Sequence, residues 1–311
     1  MKIIADNILP AETTFISMKF SLQEALKIFL ELGKIRITFF VAFSTSIGYI
    51  LFAQSITLQM IAVSLGVFFL AASSSALNHY QEAKTDALMQ RTKNRPIPSG
   101  RISKEGAFLF AVILFFAGTA VVYLTSNFTA LFLGWIALFW YNIIYTPMKK
   151  KNAMAVVPGS VIGAIPPVIG WTAAGGNPLD PEIMALALFF FIWQIPHFWL
   201  LLLILDKDYQ QAGFPTLTTI FNKVQLSRIT FIWIAALAIS SLLIPLFDLT
   251  SNFTTSVLLL SLGAALIFKS KNLLRINYEN KVFKYAFYYI NFYVLLVVLV
   301  LSVDKLIFTA I

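Results

Sequence analysis

Three polar residues lie at intervals of four in the stretch NHYQEAKTD, which follows a long apolar segment of the chain. They are Asn78, Glu82 and Asp86. On an α-helix, this spacing places all three side chains on one face. Two carboxylates and an amide are oxygen ligands that suit Mg²⁺, a cation that often completes its coordination with water and phosphate oxygens. The spacing therefore predicts a magnesium site that would bind a phosphate or diphosphate group.

Two arginines follow Asn78, Glu82 and Asp86, which we call the acidic stripe. Their chemistry fits the same ligand. Arg91 and Arg95 are four residues apart, and guanidinium groups pair well with phosphate oxygens. The alternative is a solvated loop whose basic residues only set membrane topology, which would explain Lys93, Arg101 and Lys104. It explains the acidic stripe poorly, since Asp and Glu contribute little to topology. We therefore favour a binding site.

A second polar block lies in FIWQIPHFWLLLLILDKDYQQAGFPTL. Gln194 and His197 are about one turn apart in an apolar helix, with a proline between them, and Lys207, Asp208 and Tyr209 follow at its end. A lone histidine in a membrane helix is often only a hydrogen-bonded packing residue. The nearby glutamine and the expected kink favour a ligand-facing role here, because polar groups inside membranes are usually functional.

A third block, YNIIYTPMKKKNAMAVVPGSVIGAIPPVIGWT, places three lysines on the same side of the membrane as the first two blocks. Lys149, Lys150 and Lys151 suit either a topology anchor or a phosphate contact, and the sequence leaves both open. Pro166 and Pro167 follow in the next apolar segment. Such residues are tolerated in membrane helices where the backbone lines a cavity.

Apolar segments make up most of the rest of the chain. Of the 311 residues, 59% are hydrophobic and 12% are charged, against about 25% charged in a soluble domain. The uncharged runs lack the alternation of a β-barrel and approach the roughly 20 residues that a membrane-spanning helix needs. The predicted spans are 37–54, 59–79, 105–124, 128–147, 155–173, 183–205, 228–247, 253–269 and 282–303. The expected fold is thus an all-α, polytopic bundle around a central cavity that opens to the cytoplasm.

The distribution of basic residues predicts the orientation. Cytoplasmic loops collect Lys and Arg. With nine spans and a cytoplasmic N-terminus, 22 of the 23 Lys and Arg residues fall on the cytoplasmic side, and only Lys305 falls outside. The net charge of +9 then reflects orientation and attraction to anionic lipid or substrate. No nucleic-acid partner is needed to explain it.

The N-terminal region has a different composition. We expect residues 1–36 to form a cytoplasmic segment and 37–311 to form the nine-helix domain. Residues 1–20 lack the compact apolar core of a cleavable signal peptide. Residues 21–34 open with a Ser-x-x-Glu capping box and have an amphipathic pattern, which favours a helix on the membrane interface. The chain has no cysteine, which excludes disulfide and thiolate chemistry.

The polar blocks together resemble the signatures of the intramembrane UbiA-type prenyltransferase superfamily. The pattern from Asn78 to Pro96, NHYQEAKTDALMQRTKNRP, is similar to the first diphosphate motif of that superfamily. YTPMKK, GAIPPVIGWT, WQIPHF and DYQQAGFP follow in the expected order. WQIPHF together with AGFP resembles the haem O synthase branch in particular. The resemblance extends from about residue 30 to the end of the chain.

This resemblance implies transfer of a farnesyl group from farnesyl diphosphate to a vinyl group of haem b, in a bacterial inner membrane. Haem A synthase or a terminal oxidase would be a plausible recipient of the product. Mg²⁺ would be bound by Asn78, Glu82, Asp86 and Asp208. Arg91 and Arg95 would stabilise the departing diphosphate with Lys149. The other predicted substrate-binding residues are Gln194, His197, Lys207 and Tyr209, of which His197 would bind the haem iron or orient the porphyrin.

The sequence departs from the superfamily pattern in two places. Glu82 stands where Asp is usual, which keeps a carboxylate. The usual second pair of acids, four residues apart, is incomplete, because Asp208 has Ile204 and Ala212 at that spacing. The number of Mg²⁺ ions is therefore open.

Other functions also stay open. A prenyltransferase for a quinone precursor such as 4-hydroxybenzoate is one alternative to haem farnesylation. Another is a secondary transporter, although transporters usually place their polar groups near the membrane midplane. A purely structural haem chaperone is a third possibility, but it would need no acidic stripe.

Overall fold

Helices form all the regular structure in the part of the chain that the structure describes. The structure is a computed structural model that describes residues 21–275 and 281–308. Residues 1–20, for which the sequence indicates no signal peptide, lie outside this part. A short helix and nine longer ones are present, with bounds α1 Leu22–Leu32, α2 Ile35–Ala53, α3 Leu58–Asp86, α4 Lys104–Thr125, α5 Phe128–Met148, α6 Ala153–Ala173, α7 Pro181–Gln211, α8 Lys223–Leu246, α9 Phe253–Leu274 and α10 Lys281–Phe308.

The nine longer helices are each long and apolar enough to cross a membrane, so the predicted all-α architecture with nine spans is confirmed for the described residues. Polar side chains cap several of the helix starts: Thr57 accepts a hydrogen bond from the backbone of α3, and Ser103 accepts one from α4. The main difference from the prediction lies in α3, which continues to Asp86. The acidic stripe therefore lies on the last turns of a continuous helix.

Irregular turns in α5, α6 and α7 occur near polar residues. In α5, a π-helical turn occupies Trp140–Tyr145. In α6, the helix continues through Pro166 and Pro167 after short turns at its start. In α7, Leu205 has non-helical dihedral angles (φ −115°, ψ 15°), which separates the last six residues from the rest of the helix. π-Helical turns are frequent at functional sites.

Helices α2 and α6 pack closely in the centre of the bundle. A Cβ atom on Gly170 would lie 1.8 Å from the carbonyl oxygen of Thr45, so the two backbones touch at a position where only glycine fits. Small residues allow this approach between membrane helices. Residues of α2 and α6 also belong to both large hydrophobic clusters, one formed mainly with α3 and α5 and the other with α7–α10. These two helices therefore join the halves of the bundle.

The end of the bundle where α3 and α7 finish carries the predicted site and is called the polar end here. Helix α1 is attached to it by an ion pair between Glu31 and Arg101, and Arg101 also donates to the carbonyl of Asn94 at 2.8 Å. The Arg101 guanidinium lowers the pKa of the Glu31 carboxyl, and Glu31 in turn raises the pKa of Arg101. The N-terminal helix is thus fastened to the loop between α3 and α4.

Candidate active site

A cavity of about 340 Å³ opens within the bundle and is lined by α2, α3, α5, α6 and α7 together with the polar loops. Its interior is mainly apolar, with residues such as Val41, Leu70, Ile162 and Leu201 on the walls. The polar residues that line it are Lys34, Thr38, Ser74, Ser75, Asn78, Glu82, Asp86, Arg91, Arg95, Tyr141, Tyr145, Lys149, Gln194 and Tyr209. The cavity therefore combines an apolar chamber with a charged region, as an amphiphilic ligand requires.

Asp86 is buried and forms an ion pair with Arg95. The guanidinium Nη1 atom lies 2.8 Å from each carboxylate oxygen, and the side chain of Asp86 is 1% exposed. The loop that returns Arg95 to this position is held by Thr92, whose hydroxyl donates to the backbone carbonyl of Asp86 at 2.8 Å. A buried carboxylate needs such a partner, because an isolated charge in a low-dielectric site is very costly.

Glu82, one turn earlier on α3, is paired with Lys149. The ammonium Nζ donates to Oε2 at 2.9 Å and lies 2.8 Å from Oε1. The geometry at Oε1 is not that of a hydrogen bond, so this buried oxygen has no hydrogen-bond donor among the described residues. In an exposed carboxylate, water would donate a hydrogen bond to such an oxygen. A buried one is suited to a cation, because hard divalent cations take carboxylate oxygens as ligands.

Asn78 completes the stripe, and both the nitrogen and the oxygen of its side-chain amide form hydrogen bonds. Its Nδ2 atom donates to the Thr146 hydroxyl at 3.2 Å, and its Oδ1 atom accepts from Lys34 Nζ at 3.0 Å. Asn78, Glu82 and Asp86 therefore all face the cavity, as the helical spacing predicts. Each of them also lies against a different basic side chain.

Lys34 is a site residue that the sequence reasoning missed. It precedes α2, has a left-handed backbone conformation (φ 46°) and lines the cavity. Burial, together with the nearby charges of Arg95 and Lys149, lowers the pKa of Lys34 to about 7. The signal in the sequence was the position of Lys34 at the junction between the amphipathic segment and the first span. There it was counted only as one of several basic residues on the cytoplasmic side.

The π-helical turn in α5 contributes two tyrosines and one structural asparagine. Tyr141 and Tyr145 line the cavity, and Lys149 Nζ lies 5.4 Å from the ring centroid of Tyr145. The fully buried Asn142 instead points at α3, where its amide accepts from the Ser74 hydroxyl at 2.7 Å and donates to the Ser74 carbonyl at 3.0 Å. Asn142 thus ties the irregular turn to the helix that bears the acidic stripe.

The second polar block contributes only part of its predicted residues to the cavity. Gln194 lines it, and Gly163 of α6 leaves the necessary space, since a Cβ atom there would lie 2.2 Å from Gln194 Nε2. Tyr209 also lines it and packs against Phe214 with ring centroids 5.9 Å apart. Arg91, from the first block, lines the cavity at its polar end.

Lys207 and Asp208 do not line the cavity. An unbroken helix would place Asp208 within about 40° of Gln194 on the helical wheel. The non-helical dihedral angles of Leu205 change this register, so Tyr209 faces the cavity instead. Lys207 is exposed and Asp208 is half-buried. In the described part of the chain, no three His, Asp or Glu side chains are close enough to form a metal site by themselves.

His197 lies beside the cavity wall and faces α10. Its Nδ1 atom is 2.8 Å from Asn291 Oδ1. Its ring centroid lies 5.1 Å from that of Trp193, 5.5 Å from that of Phe198 and 4.8 Å from that of Phe287. Phe198 itself lines the cavity. The imidazole ring does not itself line the cavity, but it contacts an aromatic ring that does.

These features define a class of protein: a polytopic helical membrane protein with an acidic, arginine-rich site at one end of an apolar chamber. A model of the UbiA prenyltransferase family matches residues 41–299. Because this match covers most of the sequence, the chain belongs to the UbiA prenyltransferase family.

Relatives and a solved structure agree with this membership. The chain is 44% identical over 184 residues to the protoheme IX farnesyltransferase of Geobacter sulfurreducens, covering 59% of this chain and 68% of that one. It is 34% identical over 285 residues to the protoheme IX farnesyltransferase of Christiangramia forsetii, covering 90% and 93%. A UbiA homologue from Archaeoglobus fulgidus, bound to GPP and Mg²⁺, has a TM-score of 0.64 at 15% identity, covering 88% and 99%. This last likeness concerns the fold alone.

Proposed function

We propose that this protein transfers a farnesyl group from farnesyl diphosphate to a vinyl group of haem b, forming haem O and diphosphate. The observation that carries the proposal is the buried stripe of Asn78, Glu82 and Asp86 at the polar end of an apolar cavity, with a basic side chain against each member. The relatives named protoheme IX farnesyltransferase support the choice of donor and acceptor.

The stripe fits a divalent cation. It offers an amide oxygen and two carboxylates. Among the described residues, none donates a hydrogen bond to the buried Oε1 atom of Glu82. Asn78, Glu82 and Asp86 would hold Mg²⁺; the proposal does not require Asp208, which does not line the cavity. When bound, Mg²⁺ would neutralise charge that develops on the diphosphate. The homologue solved with GPP and Mg²⁺ supports the choice of a prenyl diphosphate and Mg²⁺ as ligands.

Basic side chains of the chain would bind the rest of the diphosphate. Arg91 lines the cavity and is exposed at its mouth. Arg95, Lys149 and Lys34 already lie within the site. Preorganised positive groups stabilise a leaving group most strongly where water is excluded, because the local dielectric constant is low. We assign these four residues to diphosphate binding and to stabilisation of its departure.

The apolar part of the cavity would hold the farnesyl chain and protect the allylic cation that forms when diphosphate leaves. Tyr141, Tyr145 and Phe198 line this part, and aromatic faces attract cations. Exclusion of water limits premature hydrolysis of such a cation. Addition of the farnesyl group to the vinyl carbon forms the new carbon–carbon bond, and water then supplies the hydroxyl group of the product with release of a proton.

The acceptor would bind near Gln194 and His197, beside the chamber. His197 is surrounded by aromatic side chains, and an imidazole nitrogen is a suitable ligand for iron. We therefore propose that His197 binds the haem iron. Tyr209 and Lys207, near the mouth, are assigned to substrate binding. We further propose that the protein lies in a bacterial inner membrane with its N-terminus in the cytoplasm. It would pass its product to haem A synthase or a terminal oxidase.

A product assay tests the function. The full-length protein in membranes is supplied with haem b, farnesyl diphosphate and Mg²⁺, and the extracted haem is analysed by mass spectrometry. We expect a hydroxyethylfarnesyl adduct that disappears when a chelator is added. Folded protein that prenylates 4-hydroxybenzoate but not haem b would overturn the acceptor and leave the family membership intact. Folded protein with neither activity would contradict the proposed reaction.

A further inference from the structure

The side chain of Asn291, on α10, has a fixed orientation. Its Nδ2 atom donates to the Phe287 backbone carbonyl at 2.6 Å. A carbonyl oxygen only accepts hydrogen bonds, so the amide nitrogen must point to Phe287 and the amide oxygen must point to His197. The hydrogen bond between the Asn291 amide and His197 Nδ1, 2.8 Å long, therefore has the histidine as its donor.

This hydrogen bond determines the tautomer of His197. A neutral imidazole carries one N–H group, and when that group is on Nδ1 the lone pair is on Nε2. The ring is part-buried, and Nε2 has no hydrogen-bond partner among the residues that the structure describes. Nε2 of His197 is not completely buried, whereas both ring nitrogens of His79 are buried and have no hydrogen-bond partner among the described residues. Of the two histidines, His197 is therefore the one whose free nitrogen is accessible.

We infer that Asn291 is a positioning residue that holds His197 in the Nδ1–H tautomer and so directs the Nε2 lone pair to the iron of the haem acceptor. This inference rests on the proposed function, because it takes haem b as the acceptor. Histidine ligands of metals usually donate their second N–H to an acceptor that fixes the tautomer and the ring orientation. The Oδ1 atom of Asn291 is such an acceptor for the Nδ1–H group of His197.

The surroundings fit a porphyrin better than a small ligand. Three aromatic rings, those of Trp193, Phe198 and Phe287, have centroids within 5.5 Å of the imidazole. Next to Asn291 on α10, Tyr288 and Phe292 are largely exposed. Flat aromatic side chains offer a large apolar surface for a planar ring system. A haem bound through His197 would lie next to Phe198, and so next to the chamber that would hold the farnesyl group.

The tautomer can be measured directly, without haem or activity. The chain has two histidines, so ¹⁵N-histidine labelling of the full-length protein in nanodiscs gives two imidazole spectra, and His197→Gln identifies which one belongs to His197. We expect the Nδ1–H form in the wild type and a mixture of tautomers in Asn291→Leu. Asn291→Asp loses the hydrogen bond to the Phe287 carbonyl but retains an acceptor for Nδ1–H, so Nδ1 of His197 should stay protonated. Ser302→Ala, which removes a 2.8 Å hydrogen bond to Val298 on the same helix, is the matched control and should change nothing.

Titration with ferric haem b, followed by the Soret band and by electron paramagnetic resonance, tests the role of the tautomer. We expect haem affinity to fall about tenfold in Asn291→Leu, to recover largely in Asn291→Asp, and to be unchanged in Ser302→Ala. An unchanged tautomer in Asn291→Leu would overturn the positioning role. A changed tautomer with unchanged haem spectra and affinity would overturn iron ligation by His197. If the tautomer and haem results are as expected but no farnesyl adduct forms, the proposed reaction fails, whereas haem binding by His197 with Asn291 as its positioning residue stands.

Discussion

The two acidic segments of the chain have the same kind of residues and opposite environments. The first segment, residues 78–86, lies on the last turns of α3, and its carboxylates are almost completely buried against Lys149 and Arg95. The second segment, residues 206–208, follows a break in α7 and is half-exposed or exposed. Its Asp206 accepts hydrogen bonds from Gln210, at 3.0 Å, and from Thr218.

The two segments differ in burial rather than in residue type. A buried carboxylate is costly unless a cation or several donors compensate it, so the first segment requires its basic partners. In the proposed function, those basic partners would bind the diphosphate while the carboxylates hold Mg²⁺. A half-exposed carboxylate keeps water as a partner and binds a cation only weakly. We therefore expect substitutions in the first segment to have much larger effects than those in the second.

The largest effect is expected for Asp86→Asn. The change removes one charge from the proposed metal site and leaves Arg95 without its ion-pair partner. Loss of one strong electrostatic contribution to a transition state costs about 10²–10³-fold in rate, and we expect at least that loss in farnesyl transfer measured by mass spectrometry. Haem binding should stay close to that of the wild type. Turnover at the wild-type rate would refute the assignment of Asp86.

A large effect on stability is expected for Lys149→Met. The substitution leaves Glu82 as a buried charge without a cation, which costs about 3 kcal/mol or more, and the unfolding midpoint in detergent should fall accordingly. The double variant Lys149→Met, Glu82→Gln should recover most of this stability, because no unpaired charge remains. It should not recover activity. A double variant as unstable as the single one would show that the pair is not coupled.

A smaller effect is expected for Asp208→Asn. Because this side chain does not line the cavity, we expect the transfer rate to fall about tenfold or less, which corresponds to about 1.4 kcal/mol in the barrier. Asp206→Asn is the matched control in the same segment and should leave the rate unchanged. A loss for Asp208→Asn as large as that for Asp86→Asn would show that the two segments act together on the diphosphate.

The smallest effect is expected for the ion pair between Glu31 and Arg101, which lies outside the spans. Exposed pairs contribute about 0.2–1 kcal/mol. Since the pKa of Glu31 is lowered from 4.5 in the folded protein, this contribution is complete above pH 4.5 and is lost as the pH falls through the lowered value. The difference in thermal stability between the wild type and Arg101→Met should therefore be constant near pH 7 and shrink in acid to the part that comes from the hydrogen bond between Arg101 and the Asn94 carbonyl, which does not depend on pH. A difference that grows on acidification would contradict this sign.

Much of the candidate site follows from local spacing. Asn78, Glu82 and Asp86 were predicted to share one face because a helix repeats every 3.6 residues, and α3 continues through all three. Lys34 was missed because it precedes a span and has no motif around it. The pairing of Asn142 with Ser74, 68 residues apart, also has no local signal.

Asp208 and His197 show the limit of the same reasoning. Helical phase places Asp208 near Gln194, but this holds only while the helix is regular, and the dihedral angles of Leu205 break the repeat. The partner of His197 is Asn291, 94 residues later in the chain. A sequence pattern within one helix has no information about a side chain on another helix.

By itself, the sequence determined the nine membrane-spanning segments and the helical face of the acidic stripe. Both depend on hydrophobicity and on the helical repeat, which are properties of neighbouring residues. Only the tertiary structure decided which cation pairs with which carboxylate, which residues of α7 face the cavity, and that Asn291 orients His197. These contacts join distant segments, and their geometry depends on how the helices pack and where they are irregular.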